Sequence, residues 1–231
     1  MLKSQPLLIT TYIRLTPPLW ILKKLIIVGA GGFGREVYQW AAKNPGNNTL
    51  FSMKGFLDDN PDALQNYRYP LGVLGTIADY EIKSDDVFLC AIGNPQAKER
   101  CVKALQARGA KFTNLIHPSA VLGSNITIGQ GIIICPNVVV SADIKIGDFV
   151  SIDSQSVLGH DCELGHFSHV ATFSAVTGGS KLGQRVFVGS HSTVLPTITV
   201  GDDAVIGAGS VVTKPVPPSI TVVGVPARKL K

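Results

Sequence analysis

From Ile116 to Val212 every sixth residue is aliphatic: Ile116, Leu122, Ile128, Ile134, Val140, Ile146, Ile152, Leu158, Leu164, Val170, Val176, Leu182, Val188, Val194, Val200, Ile206 and Val212. A strict hexapeptide period predicts a parallel β-helix of triangular coils, three hexapeptides to a coil, so that residues eighteen apart stack on one another. Four positions after each aliphatic comes a second inward site filled by small or β-branched residues, among them Ile132, Val138, Ser156, Ser168, Ser174, Ser192 and Ser210. The pairs Ile128-Gly129, Ile146-Gly147, Leu164-Gly165, Leu182-Gly183 and Val200-Gly201 recur at the coil interval. They predict a glycine at one corner of each coil, where the backbone must bend sharply.

The half before the repeat has a different rhythm. Lys24 to Val28 is a short buried-strand run, Gly29-Ala30-Gly31-Gly32-Phe33-Gly34 is a glycine turn, and Arg35 to Ala41 has helical period. Strand, G-x-G-x-x-G and helix in that order predict an anion site for a diphosphate, built from backbone amides and a helix N-terminus. A second strand, Met53 to Leu57, ends on Asp58-Asp59, where a carboxylate would meet a base or ribose. The same Asp58-Asp59-Asn60-Pro61 also reads as a polar turn and the start of a helix. A third strand, Asp86 to Ile92, ends at Gly93-Asn94-Pro95 before a helix from Gln96 to Ala107. A last strand from Gly109 leads through Leu115 and Ile116 into the coil, with His117 as a turn residue. The expected organisation is an N-terminal extension at 1–22, a Rossmann-like α/β domain at 23–112, an all-β parallel helix at 113–217 and a C-terminal tail at 218–231. At about half the length of a two-lobed dinucleotide fold, the first domain suits a mononucleotide diphosphate better than a nicotinamide cofactor.

Composition narrows the partners. The chain has 231 residues, of which 45% are hydrophobic and only 7% aromatic, as an aliphatic-filled coil requires. The charged share of 16% is low for a free-standing monomer and points to buried subunit faces. The net charge of +5 comes without a basic run longer than two residues or interleaved aromatics, which argues against nucleic acid and for phosphorylated small molecules. Cys90, Cys101, Cys135 and Cys162 have no metal spacing, so no metal is expected and reduced thiols in a cytoplasmic protein are. The apolar stretch Pro6 to Leu22 is interrupted by Arg14 and Pro17-Pro18 and has neither a cleavage site nor the length of a membrane span.

The order GAGGFGREV, GFLDD, AIGNP, LIHPSA, GHDCELGHFSHVA and GAGSVVTKPVPPSITVVGVPARKL resembles the bacterial sugar O- and N-acetyltransferases, from Lys23 nearly to the C-terminus. These are left-handed β-helix acyltransferases of the hexapeptide-repeat class, acting on nucleotide-linked 4-amino sugars or on sialic acids. The resemblance implies a homotrimer with active sites between subunits and acetyl-CoA as co-substrate. It implies His160 as general base and Asp161 as its modulator, and it places acetyl-CoA near His169, Gly178, Ser190 and Ala208. By the same likeness the nucleotide sugar would lie on Gly29, Gly31, Gly32, Phe33, Gly34, Asp58, Asp59, Gly93 and Asn94. Phe33 stands where many relatives carry histidine, and Asp161 where many carry glutamate.

The residues support that assignment in part. An amine attacking a thioester must shed a proton, and imidazole titrates near neutrality. The residues stacked on His160 are Ser124, Ala142, Gly178 and Pro196, all compact. Gly178-Gly179 is the candidate oxyanion donor, because glycine admits a close backbone approach. Ser190 and Ala208 share a column with Pro136, Ser154 and Thr172, a groove suited to an extended thiol arm. Arg185, Lys214, Arg228 and Lys229 are candidate phosphate contacts, and His166 is expected in solvent. Whether Asp161 reaches the ring of its neighbour is open, since neighbours along a strand point to opposite faces. The expected function is N-acetylation of a nucleotide-linked 4-amino-dideoxysugar. The alternatives are O-acetylation of a sugar hydroxyl and a non-catalytic nucleotide-sugar-binding trimer.

Overall fold

The computed structural model describes residues 22–230 except 45, 48 and 49; the apolar N-terminal stretch lies outside the described residues up to residue 21. The N-terminal part is a three-stranded parallel sheet with β1 (Lys23–Val28) in the centre, β2 (Phe51–Leu57) on one side and β3 (Asp86–Cys90) on the other. β1 alternates its buried side chains between two layers. Leu25 and Ile27 pack with Val37, Tyr38 and Ala41 of α1 (Gly32–Ala42). Ile26 and Val28 pack with Val102 and Leu105 of α2 (Pro95–Ala107). The chain therefore leaves β1 toward one side of the sheet and β3 toward the other, and the crevice at their C-terminal ends is where such a sheet takes a ligand.

The structure trims the sequence-based boundaries. β3 stops at Cys90, and α1 starts inside the glycine motif at Gly32. Residues 61–66 form turns rather than a helix.

From Leu115 the chain winds into the coil, with two-residue strands stacked in parallel at the eighteen-residue interval. Three sheets result. The first face starts at Leu115–Ile116 and continues through Ser151–Ile152, His169–Val170 and Phe187–Val188. The second runs from Val121–Leu122 through Val157–Leu158 to Val211–Val212, and the third from Thr127–Ile128 through Glu163–Leu164 to Thr199–Val200. The aliphatic series fills the interior, with Ile134, Ile152, Val170 and Val188 fully covered. Inward serines are satisfied by the coil above: Ser156 Oγ donates to Ala171 O and Ser174 Oγ to Gly189 O, both at 2.9 Å. Buried hydroxyls are tolerated only with such partners. The first coil departs from the pattern, because no coil lies beneath it: Leu122 is 38% exposed.

The corners correct one expectation. The sharp bends fall not at the glycines of the repeated pairs but two residues later, at Gly131, Phe149, Phe167, Arg185 and Asp203, whose φ values lie between 55° and 68°. The glycines serve another need, room between coils. A Cβ on Gly147 would lie 2.8 Å from His166 N and 3.0 Å from Leu164 O, both in the next coil's backbone.

The N-terminal domain sits over the first face and the edge it shares with the third. Lys98 of α2, fully buried, donates to Phe149 O (3.1 Å) and Ser151 Oγ (2.9 Å). Arg185 grips Asp203 with Nε and Nη2 at 2.8 and 2.7 Å and reaches Glu99 of α2 at 3.4 Å. Phe149 stacks on Phe167 at 5.2 Å and meets Phe112 edge-on.

Candidate functional site

The glycine turn is built by close approach. Gly29 has φ +97°, and a Cβ on Gly34 would run into Gly29 O, so only glycine lets the first turn of α1 pack onto the end of β1. Gly31 and Gly32 face open space, and the N-cap Gly31 has no side-chain partner, which leaves the first amides of α1 available to an anion. Asp58 Oδ2 accepts from Ala30 N at 2.7 Å and its Oδ1 from Asn60 N at 2.9 Å. Asp59 Oδ1 accepts from Ile77 N at 3.1 Å. Both carboxylates thus have a structural job: Asp58 ties the end of β2 to the glycine turn, and Asp59 holds the loop behind it. Asn94 caps α2, accepting from Ala97 N at 2.8 Å, and Gly93 brings that turn close to the coil.

His160 and Asp161 sit at the edge between the second and third faces. The question left open by their adjacency has a definite answer: His160 Nδ1 and Asp161 Oδ2 are 2.7 Å apart. The reason is the corner. Asp161 has φ +59°, and this left-handed turn swings its carboxylate back toward the preceding side chain. The ring is 70% exposed and lies over Gly178, where a Cβ would come within 2.6 Å of Nε2. Gly179 N–H donates to His160 O at 2.8 Å, so of the two glycines only Gly178 keeps an N–H without a backbone acceptor among the described residues.

Within one chain the expected site residues of the coil fall into three groups. His160, Asp161 and Gly178 share one edge. Ser190 and Ala208 lie at the edge between the first and second faces, where Ser190 Oγ and Thr172 Oγ1 are 3.3 Å apart. His169 stands apart from both: it is on the first face, beneath the N-terminal domain, with Phe33 packed edge-on at 5.5 Å and Phe187 stacked at 5.5 Å. Its Nε2 and Asp153 Oδ2 are 2.9 Å apart.

Other expectations resolve individually. His166 is half exposed and accepts from Asp148 N at 2.9 Å. His117 pairs with Ser119 Oγ at 2.8 Å and packs against Trp40, and burial lowers its pKa. Arg185 is not free for a phosphate, being committed to Asp203 and Glu99. Lys214, Arg228 and Lys229 do share a cleft, of about 410 Å³, at the C-terminal end of the coil.

Sequence reasoning passed over four residues at this junction. Arg35 follows the glycine motif and lies 3.7 Å over the Tyr67 ring. Lys98 has its pKa lowered to about 8, with burial as the main cause. Asp153 pairs with His169, and the Glu36 carboxyl is raised by desolvation and then by Asp153. Only Arg35 had a local signal, its place after the glycines; the others meet through the stacking of separate segments. Among the described residues no group of three or more His, Cys, Asp or Glu could hold a metal, and no helix is long and apolar enough to cross a membrane.

Comparison with known proteins agrees with this two-part architecture. Residues 24–105 match the PglD N-terminal domain, and residues 179–214 match the bacterial transferase hexapeptide (six repeats). A curated relative, UDP-N-acetylbacillosamine N-acetyltransferase of Bacillus subtilis (strain 168), is 28% identical over 115 residues, 49% of this chain and 51% of the relative. The match thus spans about half the length of that relative. Among solved structures, PerB from Caulobacter crescentus in complex with CoA and GDP-perosamine has a TM-score of 0.81 at 29% identity, covering 90% of this chain and 97% of that one. The acetyltransferase domain of PglB from Neisseria gonorrhoeae FA1090, in complex with acetyl coenzyme A, has a TM-score of 0.80 at 29% identity, covering 90% and 100%. The chain joins a PglD-type Rossmann-like domain to a left-handed hexapeptide-repeat β-helix, the architecture of the sugar N-acetyltransferases that it resembles.

Proposed function

We propose that this chain is an acetyl-CoA-dependent N-acetyltransferase acting on a nucleotide-linked 4-amino-dideoxysugar, as a cytoplasmic homotrimer. The observation that carries the reading is the His160–Asp161 pair at 2.7 Å, exposed on a coil edge with Nε2 free above a glycine. Asp161 accepts the Nδ1 proton and so keeps Nε2 as the basic nitrogen, the arrangement a general base needs. Acetyl-CoA supplies the activated acyl group. His160 Nε2 takes the proton that the amine sheds on attack, and the free Gly178 N–H is the donor for the developing oxyanion. The open amides at Gly31 and Gly32 receive the sugar's diphosphate. The column from Ser154 to Ala208 receives the pantetheine arm, and the Lys214, Arg228 and Lys229 cleft offers charge to the phosphates of CoA.

The trimer follows from the separation of these parts. In one chain the His160 edge belongs to the second and third faces, whereas the glycine turn lies over the first. A neighbouring copy brings them together. The second face carries the surface for it, an outward column of Val121, Val139 and Val157, with Val121 60% exposed. An apolar stripe of that kind is a contact surface rather than a solvated one.

The test is thiol release from acetyl-CoA with UDP-, dTDP- and GDP-linked 4-amino sugars, native chain against His160→Ala. Release with one amino sugar that falls about a hundredfold or more in the variant supports the proposal. No release with any amine, while nucleotide sugar still binds, refutes it in favour of a hydroxyl acceptor or a binding role.

A further inference from the structure

The N-terminal domain rests on a surface that repeats. Successive coils are about 4.8 Å apart. On the edge between the third and first faces Phe149 and Phe167 stack with their rings parallel, so the apolar part of the seat looks alike at two levels. Apolar packing is non-directional and does not by itself choose between them. The level has a consequence for the chemistry. Phe33 of the glycine turn meets His169, nine residues beyond His160 in the same turn of the coil. A threefold axis along the coils keeps such levels from copy to copy. A shift of the domain by one coil would therefore carry a bound nucleotide sugar about 4.8 Å away from the His160 pair of a neighbouring copy.

Polar contacts from one end of α2 distinguish the levels. The segment after α2 is tied to the coil by the chain itself: Phe112 bridges to Phe88 and meets Phe149, and Leu115 enters the first coil. The other end of α2 carries Gly93 and Asn94 at the crevice and is joined by the chain to its own sheet rather than to the coil. Three side chains within about 7.5 Å of helix from Asn94 hold it. Gln96 Nε2 donates to Asp203 Oδ1 at 3.2 Å, and Glu99 reaches Arg185 at 3.4 Å. Between them Lys98, fully buried, donates to Phe149 O at 3.1 Å and Ser151 Oγ at 2.9 Å. Burial lowers its pKa to about 8, which leaves it protonated at pH 7. One coil further up, Glu99 would face the Asp203 carboxylate instead of the Arg185 guanidinium. Lys98 would find His169 where Ser151 stands, since those two pair across the first face. A buried cation is costly, and fixing a register is the best-attested use of such a group.

We propose that Lys98, with Gln96 and Glu99, is the register key between the two domains, fixing the level at which the nucleotide-sugar crevice faces the coil. This rests on the amino-sugar acetyltransferase reading above and adds the residues that bring its two halves to one height. Lys98 is a positioning residue: it touches neither substrate and acts on acetyl transfer through the seat of α2.

The test is kcat for thiol release at pH 7, well below every melting temperature, beside calorimetric affinity for the amino sugar. Native chain, Lys98→Met, Ser151→Ala, their double variant and Glu99→Lys are compared, with thermal melts as a folding control. Lys98→Met should lower kcat about a hundredfold, the loss that a misplacement of 1 Å or more produces. Affinity for the amino sugar should stay within about twofold, because the glycine turn and its crevice are left intact. A role confined to stability would shift the melt and leave kcat alone. Ser151→Ala should lower kcat about tenfold in the native chain and not at all in Lys98→Met, since the two residues act through one hydrogen bond. Glu99→Lys sets a second cation against Arg185 without disturbing the core, should lower kcat in the same way, and decides the matter if Lys98→Met does not fold. A kcat within about threefold of native in the folded variants, a loss matched by an equal loss of amino-sugar affinity, or additive effects of Lys98→Met and Ser151→Ala would overturn the proposal. If the native chain turns over an amino sugar and the variants keep its rate, only this inference falls; if the native chain releases no thiol with any amino sugar, the functional reading falls and this inference with it.

Discussion

Replacing Gly178 by alanine inserts one methyl group beneath the His160 ring. Built on the existing backbone, that Cβ lies 2.6 Å from Nε2, 2.7 Å from Cε1 and 3.1 Å from Cδ2, against the roughly 3.5–4.0 Å of an ordinary contact. The ring must move by about 1 Å, and a misplacement of that size costs about a hundredfold in rate. That is about 2.7 kcal/mol of transition-state stabilisation. Stability should hardly change, because the group that yields is an exposed side chain and the three atoms nearest that Cβ all belong to its ring. The assay is kcat/KM for thiol release with the amino sugar that turns over, alongside a thermal melt and nucleotide-sugar affinity. The expected result is a loss near a hundredfold, an unshifted melt and unchanged affinity. A cycle with His160→Ala sharpens it: once the ring is gone the methyl has nothing to displace, so the double variant should be no slower than His160→Ala. If Gly178→Ala kept kcat/KM within about threefold of the native chain, His160 Nε2 would not be the reacting atom.

Asp161→Asn removes the charge that holds the His160 proton on Nδ1 and should lower kcat about ten- to a hundredfold with the KM for nucleotide sugar unchanged, read from steady-state rates. Gly147→Ala drives a Cβ into the backbone of the next coil, which cannot rotate away, and should cost at least about 2 kcal/mol in urea denaturation, while rates measured well below the transition stay near native. Lys98 has a folded pKa lowered to about 8, against the ordinary value of 10.5. Between those values the unfolded chain holds a proton that the folded one has released, so stability should rise with pH by up to about 1.4 kcal/mol per unit. The difference between native chain and Lys98→Met, followed by denaturation from pH 7.5 to 10, should carry that slope, and a flat difference would show that Lys98 does not titrate in the fold.

The coil was legible because a hexapeptide period constrains one side chain in six over many turns, and no local interaction competes with it. The glycine turn was legible for a similar reason, since the close approach that requires Gly34, onto Gly29 O, lies within a few residues along the chain. The reading went astray where the cause lay in the next coil. The glycines at Gly129 to Gly201 looked like bends, yet the left-handed residues come two positions later and the glycines make room for backbone eighteen residues away. The amide contacts of Asp58 and Asp59, from Ala30 N and Ile77 N, were likewise invisible along the chain, because both donors lie on other loops. Arg185 looked like a phosphate contact, yet Asp203 one coil above binds it in a two-point grip.

By itself the sequence determined the coil register, the strand-turn-helix that opens the chain, and the pairing of His160 with a compact column above and below it. Those follow from periodicity and local sterics, which a linear pattern records. Only the tertiary structure decided that Asp161 turns back onto His160, that His169 lies under Phe33 and pairs with Asp153, and that Lys98 is buried against Phe149 and Ser151. Each depends on the angle of a corner or on where one domain rests upon the other, and neither quantity leaves a repeating mark along the chain.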